Sequence, residues 1–139
     1  MAFLSKIAVV LVLCSGFSAL AQTTVAGNWR TSSIRCSGPA GVTTPSYSIS
    51  IDLQMTSNNY VANGKVAGFS CRISGPYSQK GNAVTFTMGD DGGCPLGDYI
   101  GKKFVAAVKD NKMTIKFGTA VGDKLCPDTG STVLVYLIR

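Results

Sequence analysis

The segment from Tyr47 to Met55, YSISIDLQM, alternates apolar and polar residues without a break. Successive side chains of a strand point to opposite faces, so this pattern predicts a strand with one buried and one hydrated face. The shorter segment from Met113 to Phe117 alternates in the same way. A half-apolar antiparallel sheet has to close on itself or cover a second sheet. The alternation therefore favours a barrel or a sandwich.

Turn-forming residues recur between segments of this kind. Gly81-Asn82 and Asp110-Asn111 each separate two strand-like runs, which predicts two hairpins, and residues 57–59 predict a turn. We interpret residues 60–66 and 68–73 as a single broken strand. Seven or eight short strands result, which is typical of a mainly β protein, a small antiparallel β-barrel or sandwich.

Other segments carry more specific signals. Val25 to Ile34 is the predicted first strand, with Trp29 in the core, and a Gly-x-Trp near such a strand is also found in lipocalin-like barrels. The run from Ser131 to Ile138 is almost wholly apolar, which predicts a central or barrel-closing strand. Residues 101–108 fit either a strand or one short helix, and residues 119–130 are predicted to be a loop.

The N-terminus has the form of a secretory signal peptide. A positive start ending at Lys6 precedes an apolar run from Ile7 to Leu13 and a small-x-small motif at residues 19–21. Residues 1–21 are thus the predicted signal, and residues 22–139 a single domain that is exported to the periplasm or the extracellular space. The apolar run is too short for a transmembrane span.

Four cysteines follow the predicted signal, an even number that suits two disulfides in an exported chain. If the first and last strands are antiparallel neighbours, the end of one lies near the start of the other. That arrangement favours Cys36–Cys126 with Cys71–Cys94. Two other pairings stay open, namely Cys36–Cys71 with Cys94–Cys126 and Cys36–Cys94 with Cys71–Cys126. The wide spacing excludes a zinc knuckle.

The composition excludes most catalytic classes. The chain has no histidine, which removes Ser-His-Asp and Cys-His machinery, and all seven acidic residues are aspartates. Residues 90–93, DDGG, are interpreted as a polar turn rather than a calcium site, and they lack the surroundings of a phosphate loop. We therefore expect no enzyme, no catalytic residue, no metal and no cofactor.

The basic residues concentrate in the last third of the chain. Beyond the predicted signal, twelve Lys and Arg face seven Asp, a net charge near +5. One interpretation is a surface for an anionic partner, either a protein or an envelope component; the other is a solvated strand face that discourages edge pairing. The chain lacks the interleaved aromatics of a nucleic-acid site, and we expect a monomer. The lysines concerned are Lys102, Lys103, Lys109, Lys112 and Lys116.

The stretch from Val66 to Tyr77, VAGFSCRISGPY, resembles the central signature of the META-domain family, G-x-x-G-C-N-x-[FY]-x-G-x-Y. The family comprises small bacterial envelope proteins, some heat-inducible, and virulence-associated proteins of kinetoplastids. Residues 83–88 resemble its L-T-F strand, residues 88–95 its second cysteine motif, and residues 104–108 its F-x-x-x-L segment. Trp29 matches its early tryptophan.

Ser70 and Arg72 depart from the glycine and asparagine of the family signature. The resemblance implies a Cys71–Cys94 disulfide, a helix over residues 104–108 and a non-catalytic role at the cell envelope, in stress tolerance or secretion. A secreted inhibitor of a protease or lysozyme, inserting residues 22–25 or 38–45, is an alternative. A lipocalin-like carrier of a small apolar ligand is a second alternative, and it requires a cavity inside the barrel.

Overall fold

The computed structural model describes residues 24–89 and 101–139. The predicted signal peptide, Cys94 and the DDGG turn lie outside these residues. Strands dominate the described part, and the only helix in these two ranges is short. The elements in chain order are β1 (Gly27–Gly38), β2 (Gly41–Thr43), β3 (Ile49–Met55), β4 (Asn59–Val66), β5 (Phe69–Lys80), β6 (Ala83–Thr87), β7 (Lys103–Lys109), β8 (Lys112–Phe117), α1 (Thr119–Leu125) and β9 (Thr132–Ile138).

Eight of these strands form a closed antiparallel barrel, which confirms the predicted fold class. Each long strand pairs with the next along the chain, and β9 pairs with both β8 and β1. The small β2 only extends the end of β1 as a hairpin. The apolar segment that ends the chain is thus the strand that closes the barrel, as its composition predicts. Closure leaves the long strands without a free edge along most of their length.

Both predicted hairpins are present. Gly81, with φ of 61°, lies in the turn between β5 and β6, and Asp110, with φ of 55°, lies in the turn between β7 and β8. The single broken strand over residues 60–73 is wrong. Ala67 and Gly68 instead form a tight turn, with φ of 51° and 84°, and β4 and β5 pair side by side from Val66↔Phe69 onward. The sequence hides this turn because Ala-Gly lacks the polar residue that marks most hairpins.

The helix is not where the family resemblance places it. Residues 104–108 belong to β7, whose Phe104, Ala106 and Val108 alternate inward. The helix is α1, within the segment predicted to be a loop, and its Val121 is buried against the barrel. A seven-residue helix is not stable alone, so tertiary packing rather than helix propensity forms it.

The first strand is longer than predicted and changes register. The β1–β9 pairing shifts between Thr31 and Ser33, so that Trp29 and, beyond the shift, Ile34 and Cys36 all face inward. The backbone ladder to β3 ends at Arg30. There the Thr31 hydroxyl accepts a hydrogen bond from the amide of Ile51, 2.8 Å away, and donates one to its carbonyl, 3.0 Å away. Beyond this point β1 and β3 diverge toward one end of the barrel.

The other end of the barrel is solidly filled, and we call it the floor. Trp29 is 2% exposed, and its indole N–H donates to the carbonyl of Val25 at 2.9 Å. The Arg139 guanidinium lies 4.5 Å from the centre of the Trp29 ring. The prediction that Trp29 belongs to the core is therefore confirmed. The remaining side chains of this layer are Met55, Val84, Ala106, Val108, Met113 and Leu137.

Candidate functional site

An apolar cavity of about 150 Å³ occupies the half of the barrel away from the floor. Its sides come from inward positions of nearly every long strand, and its bottom from Tyr60 and Phe86. The other lining side chains are hydrocarbon apart from the sulfur-containing Cys71 and Met88, and Gly64 contributes bare backbone. They include Ile34, Ile51, Leu53, Ala62, Ile73, Met88, Phe104, Ile115, Phe117, Val133 and Val135.

Two small residues on β4 account for the space. Ala62 and Gly64 occupy successive inward positions, opposite Ile73 and Cys71 of β5. A methyl group added at Gly64 would find its nearest neighbour, the Cys71 sulfur, at 3.7 Å, which is an ordinary contact. Larger side chains at these two positions would fill the barrel as Trp29 and Met113 fill the floor. The cavity thus follows from missing side-chain volume on one strand.

A lid covers this end of the barrel, formed by α1 and the residues around it. Val121 and Leu125, four residues apart on one helix face, line the cavity from above. The Cys36–Cys126 disulfide ties the end of α1 to β1, as the neighbouring-strand argument predicts. The amide of Ser46, in the segment after β2, donates to the carbonyl of Leu125 at 2.8 Å.

Tyr60 supplies the hydrogen-bonding group at the bottom of the cavity, but that group is already satisfied. Its hydroxyl donates to the carbonyl of Thr87 at 2.9 Å, and its ring meets Phe86 edge to face with 4.9 Å between ring centres. Burial raises the pKa of Tyr60 to about 12. Burial also raises the pKa of Tyr77, whose hydroxyl donates to the carbonyl of Thr56.

This raised pKa predicts a loss of stability in strong base. An unfolded tyrosine ionises near pH 10, whereas folded Tyr60 holds its proton to about pH 12. The free energy of unfolding should fall across this window, because there the unfolded chain binds fewer protons than the folded one. Urea unfolding of the wild type and Tyr60→Phe at pH 7, 10 and 11.5 would measure it. The variant should lose about 1 kcal/mol at pH 7 and decline less above pH 10; an equal decline would contradict the assignment.

The stretch that carries the family resemblance forms part of the barrel wall. Cys71 and Ile73 line the cavity, and Tyr77 shares their face of β5. Cys71 is disulfide-bonded, which leaves no thiol for chemistry, while its predicted partner Cys94 lies outside the described residues. Arg72, between the inward positions, is exposed on the outer face.

The predicted basic residues lie outside the barrel and away from the cavity. Lys103 and Lys109 lie at the two ends of β7, and Lys112 and Lys116 lie on the outer face of β8. Lys109 and Lys112 face each other across the hairpin, and Lys102 precedes β7. The structure therefore gathers these lysines on one outer wall but brings none of them to the cavity.

The cavity can bind an apolar molecule, but its described lining offers few groups for catalysis. Among the described lining residues, Tyr60 alone carries an ionisable group, and no cluster of acidic or cysteine side chains in ranges 24–89 and 101–139 could hold a metal. An apolar cavity of this size excludes water and accommodates a single ring or the end of a hydrocarbon chain. The sequence signal for this cavity is weak: it consists of the small residues Ala62 and Gly64 at alternate positions of one strand.

In the part of the chain that the structure describes, no helix is long and apolar enough to cross a membrane. Comparison of the sequence with family models and curated proteins, and of the fold with solved structures, gave no match. The META-domain resemblance accordingly stays a prediction.

Proposed function

We propose that this protein is an exported, non-catalytic binding protein that takes a small apolar ligand into its barrel cavity. The observation that carries the proposal is the 150 Å³ cavity, apolar on every side and covered by the α1 lid. Barrels of eight strands have room for one small ligand when their interior side chains are small. Export is supported by the signal-like N-terminus and by disulfide bonding at Cys36, Cys71 and Cys126. An envelope role rests on the META-domain resemblance.

The size of the cavity limits the ligand class. Sites for drug-sized molecules usually measure about 300–1,000 Å³, well above what this barrel offers. The ligand is therefore one aromatic ring, or the terminal carbons of a single acyl chain whose polar end stays outside the cavity. Affinity comes from burying hydrocarbon, since the Tyr60 hydroxyl is already bonded to the Thr87 carbonyl.

Filling the cavity should abolish binding. Toluene binding can be measured by two-dimensional NMR of the backbone amides. We expect toluene to shift the amide signals of cavity residues such as Val133 and Val135. Ala62→Leu places three more carbons in the cavity and should weaken this binding at least about tenfold while leaving Tm within about 5 °C. The same change at Ala107, which is exposed on the outer face of β7, is the matched control and should leave binding unaltered.

Two outcomes would contradict the proposal. One is wild-type protein in which saturating toluene shifts no cavity signal. The other is equal binding by the Ala62→Leu and Ala107→Leu variants, which would place the toluene elsewhere.

A further inference from the structure

The turn between β4 and β5 departs from the usual sequence of a tight hairpin turn. Gly68 is usual at the second central position of such a turn, but the first, which usually carries Asn, Asp or Gly, is Ala67, and Val66 and Phe69 flank the pair. Ala67 adopts a φ of 51°. This left-handed conformation has a higher conformational free energy for alanine than for asparagine or glycine. A positive φ at a non-glycine residue of an exposed turn is a departure of the kind that clusters at functional positions.

Exposed aromatic side chains accompany this turn. Phe69 is 78% exposed and Tyr47 is 49% exposed; these are the two aromatics among the large apolar side chains left uncovered in the described part. The amide of Ala67 donates to the carbonyl of Ser48 at 3.0 Å, so the segment that bears Tyr47 runs beside the turn. We call Tyr47 and residues 66–69 the apolar tip.

The apolar tip lies at the mouth of the cavity. Val66 lines the cavity and is the strand partner of Phe69, so Phe69 occupies the first inward position of β5. Ile49, two residues after Tyr47, also lines the cavity and pairs with Val66. A molecule that left the cavity on this side would therefore pass the exposed aromatic rings.

Cations flank the apolar tip on the outer wall. Lys65 directly precedes it and pairs with Ser70, and Arg72 lies two positions further along β5. Both are exposed. The one acidic residue on this wall among the described residues, Asp52, is level with Arg72, since both pair with Asn63, and Lys65 lies nearer the tip than either. The charge next to the aromatic rings is thus positive.

We infer that the apolar tip docks on a lipid bilayer that contains anionic headgroups, with Phe69 and Tyr47 in the interface and Lys65 and Arg72 on the headgroups. Aromatic rings with cations behind them are the combination that this interface favours. A stable protein interface needs about 800 Å² on each partner, more than a single hairpin tip with one neighbouring ring supplies. A fluid surface requires no matching shape. Docking there would aim the cavity mouth at a source of hydrocarbon chains, a step that rests on the proposed function.

Vesicle binding tests the inference directly. Full-length mature protein should co-sediment with vesicles of equal phosphatidylglycerol and phosphatidylcholine, and much less with phosphatidylcholine alone. Phe69→Ser should weaken binding to the anionic vesicles by about tenfold or more, because it removes the most exposed ring. Val105→Ser is the matched control, since Val105 is 57% exposed on β7, two strands away from β5 around the barrel, and should have no effect.

A second pair of variants tests the charge component. Lys65→Gln should weaken binding to anionic vesicles about fivefold. Lys109→Gln, at the hairpin on the far end of the barrel, should leave it unchanged. The inference would be overturned if the wild type did not bind vesicles. It would also be overturned if Phe69→Ser and Val105→Ser lost equal affinity, because that result would indicate non-specific hydrophobic adsorption.

The cavity and the tip can fail separately. Toluene binding without vesicles reports only on the cavity, and Phe69→Ser should retain it. Vesicle docking without toluene binding would sustain the tip and reject the proposed ligand site. Toluene binding without vesicle docking would sustain the proposed ligand site and reject membrane docking by the apolar tip.

Discussion

Replacing Cys36 and Cys126 together by alanine is expected to lower the free energy of unfolding by about 4 kcal/mol. The disulfide spans 90 residues, nearly the whole described chain, so its removal restores much conformational freedom to the unfolded state. Both cysteines are buried, at 0% and 8% exposure, and alanine avoids leaving an unbonded hydroxyl in their place. Urea unfolding at neutral pH measures the loss, and Tm should drop by roughly 15 °C.

The same variant should loosen the lid. Without the disulfide, α1 is still held over the cavity by the hydrogen bond from Ser46, by a hydrogen bond from the Gly130 amide to the Asp123 carboxylate, and by the packing of Val121 and Leu125. We expect faster hydrogen exchange at α1 amides and faster toluene exchange, with the floor unaffected. Exchange at the buried strand residue Val84 serves as the internal control. A stability loss below about 1 kcal/mol would contradict the loop-entropy argument.

Much of the barrel could be predicted from sequence because strand alternation is a local signal. The inward positions of β3 follow from YSISIDLQM alone, and the closing role of β9 follows from its unbroken apolar run. The Cys36–Cys126 disulfide then follows from topology, since closure brings the end of β1 to the start of β9. These features share a single cause, which is the need to bury one face of every strand.

Two structural elements were not predictable, because neighbouring elements determine them. The Ala67-Gly68 turn carries no polar marker, and pairing of β4 with β5 imposes its positive φ angles. The helix α1 has Gly122 at its centre, where an added methyl group would collide with the Ser131 carbonyl oxygen. Glycine disfavours a helix in isolation but permits this close approach to β9.

The cavity escaped prediction for a related reason. Alternation indicates which side chains face inward, but not whether their volumes add up to a filled interior. Ala62 and Gly64 become informative only once their strand is known to face Ile73 and Cys71 across a closed barrel. The lysines show the opposite case. Their clustering was visible in the sequence, yet the structure places Lys109 and Lys112 on the outer wall, and neither lines the barrel cavity.

Trp29→Ala is expected to cost about 3–5 kcal/mol, because it empties the centre of the floor. The side chain is 2% exposed, and its N–H bond to Val25 fixes the segment that precedes β1. Such a loss is a large part of the roughly 5–15 kcal/mol that stabilises a domain of this size. Trp29→Phe, which keeps a ring but lacks the N–H group, should fall between the alanine variant and the wild type in urea unfolding.

Arg139→Ala distinguishes the contribution of the stacked cation to stability from that of the buried Trp29 ring. Arg139 covers the Trp29 ring and donates to the carbonyls of Thr24 and Ala26, at 2.7 and 3.3 Å, but it is solvent-exposed. We expect a cost of no more than about 1 kcal/mol. A loss as large as that of Trp29→Ala would show that the contacts of Arg139, rather than burial of the Trp29 ring, close the floor.

Because Trp29 does not line the cavity, Trp29→Phe should leave toluene affinity within about threefold of wild type. A parallel loss of stability and affinity would instead make floor and cavity one cooperative unit.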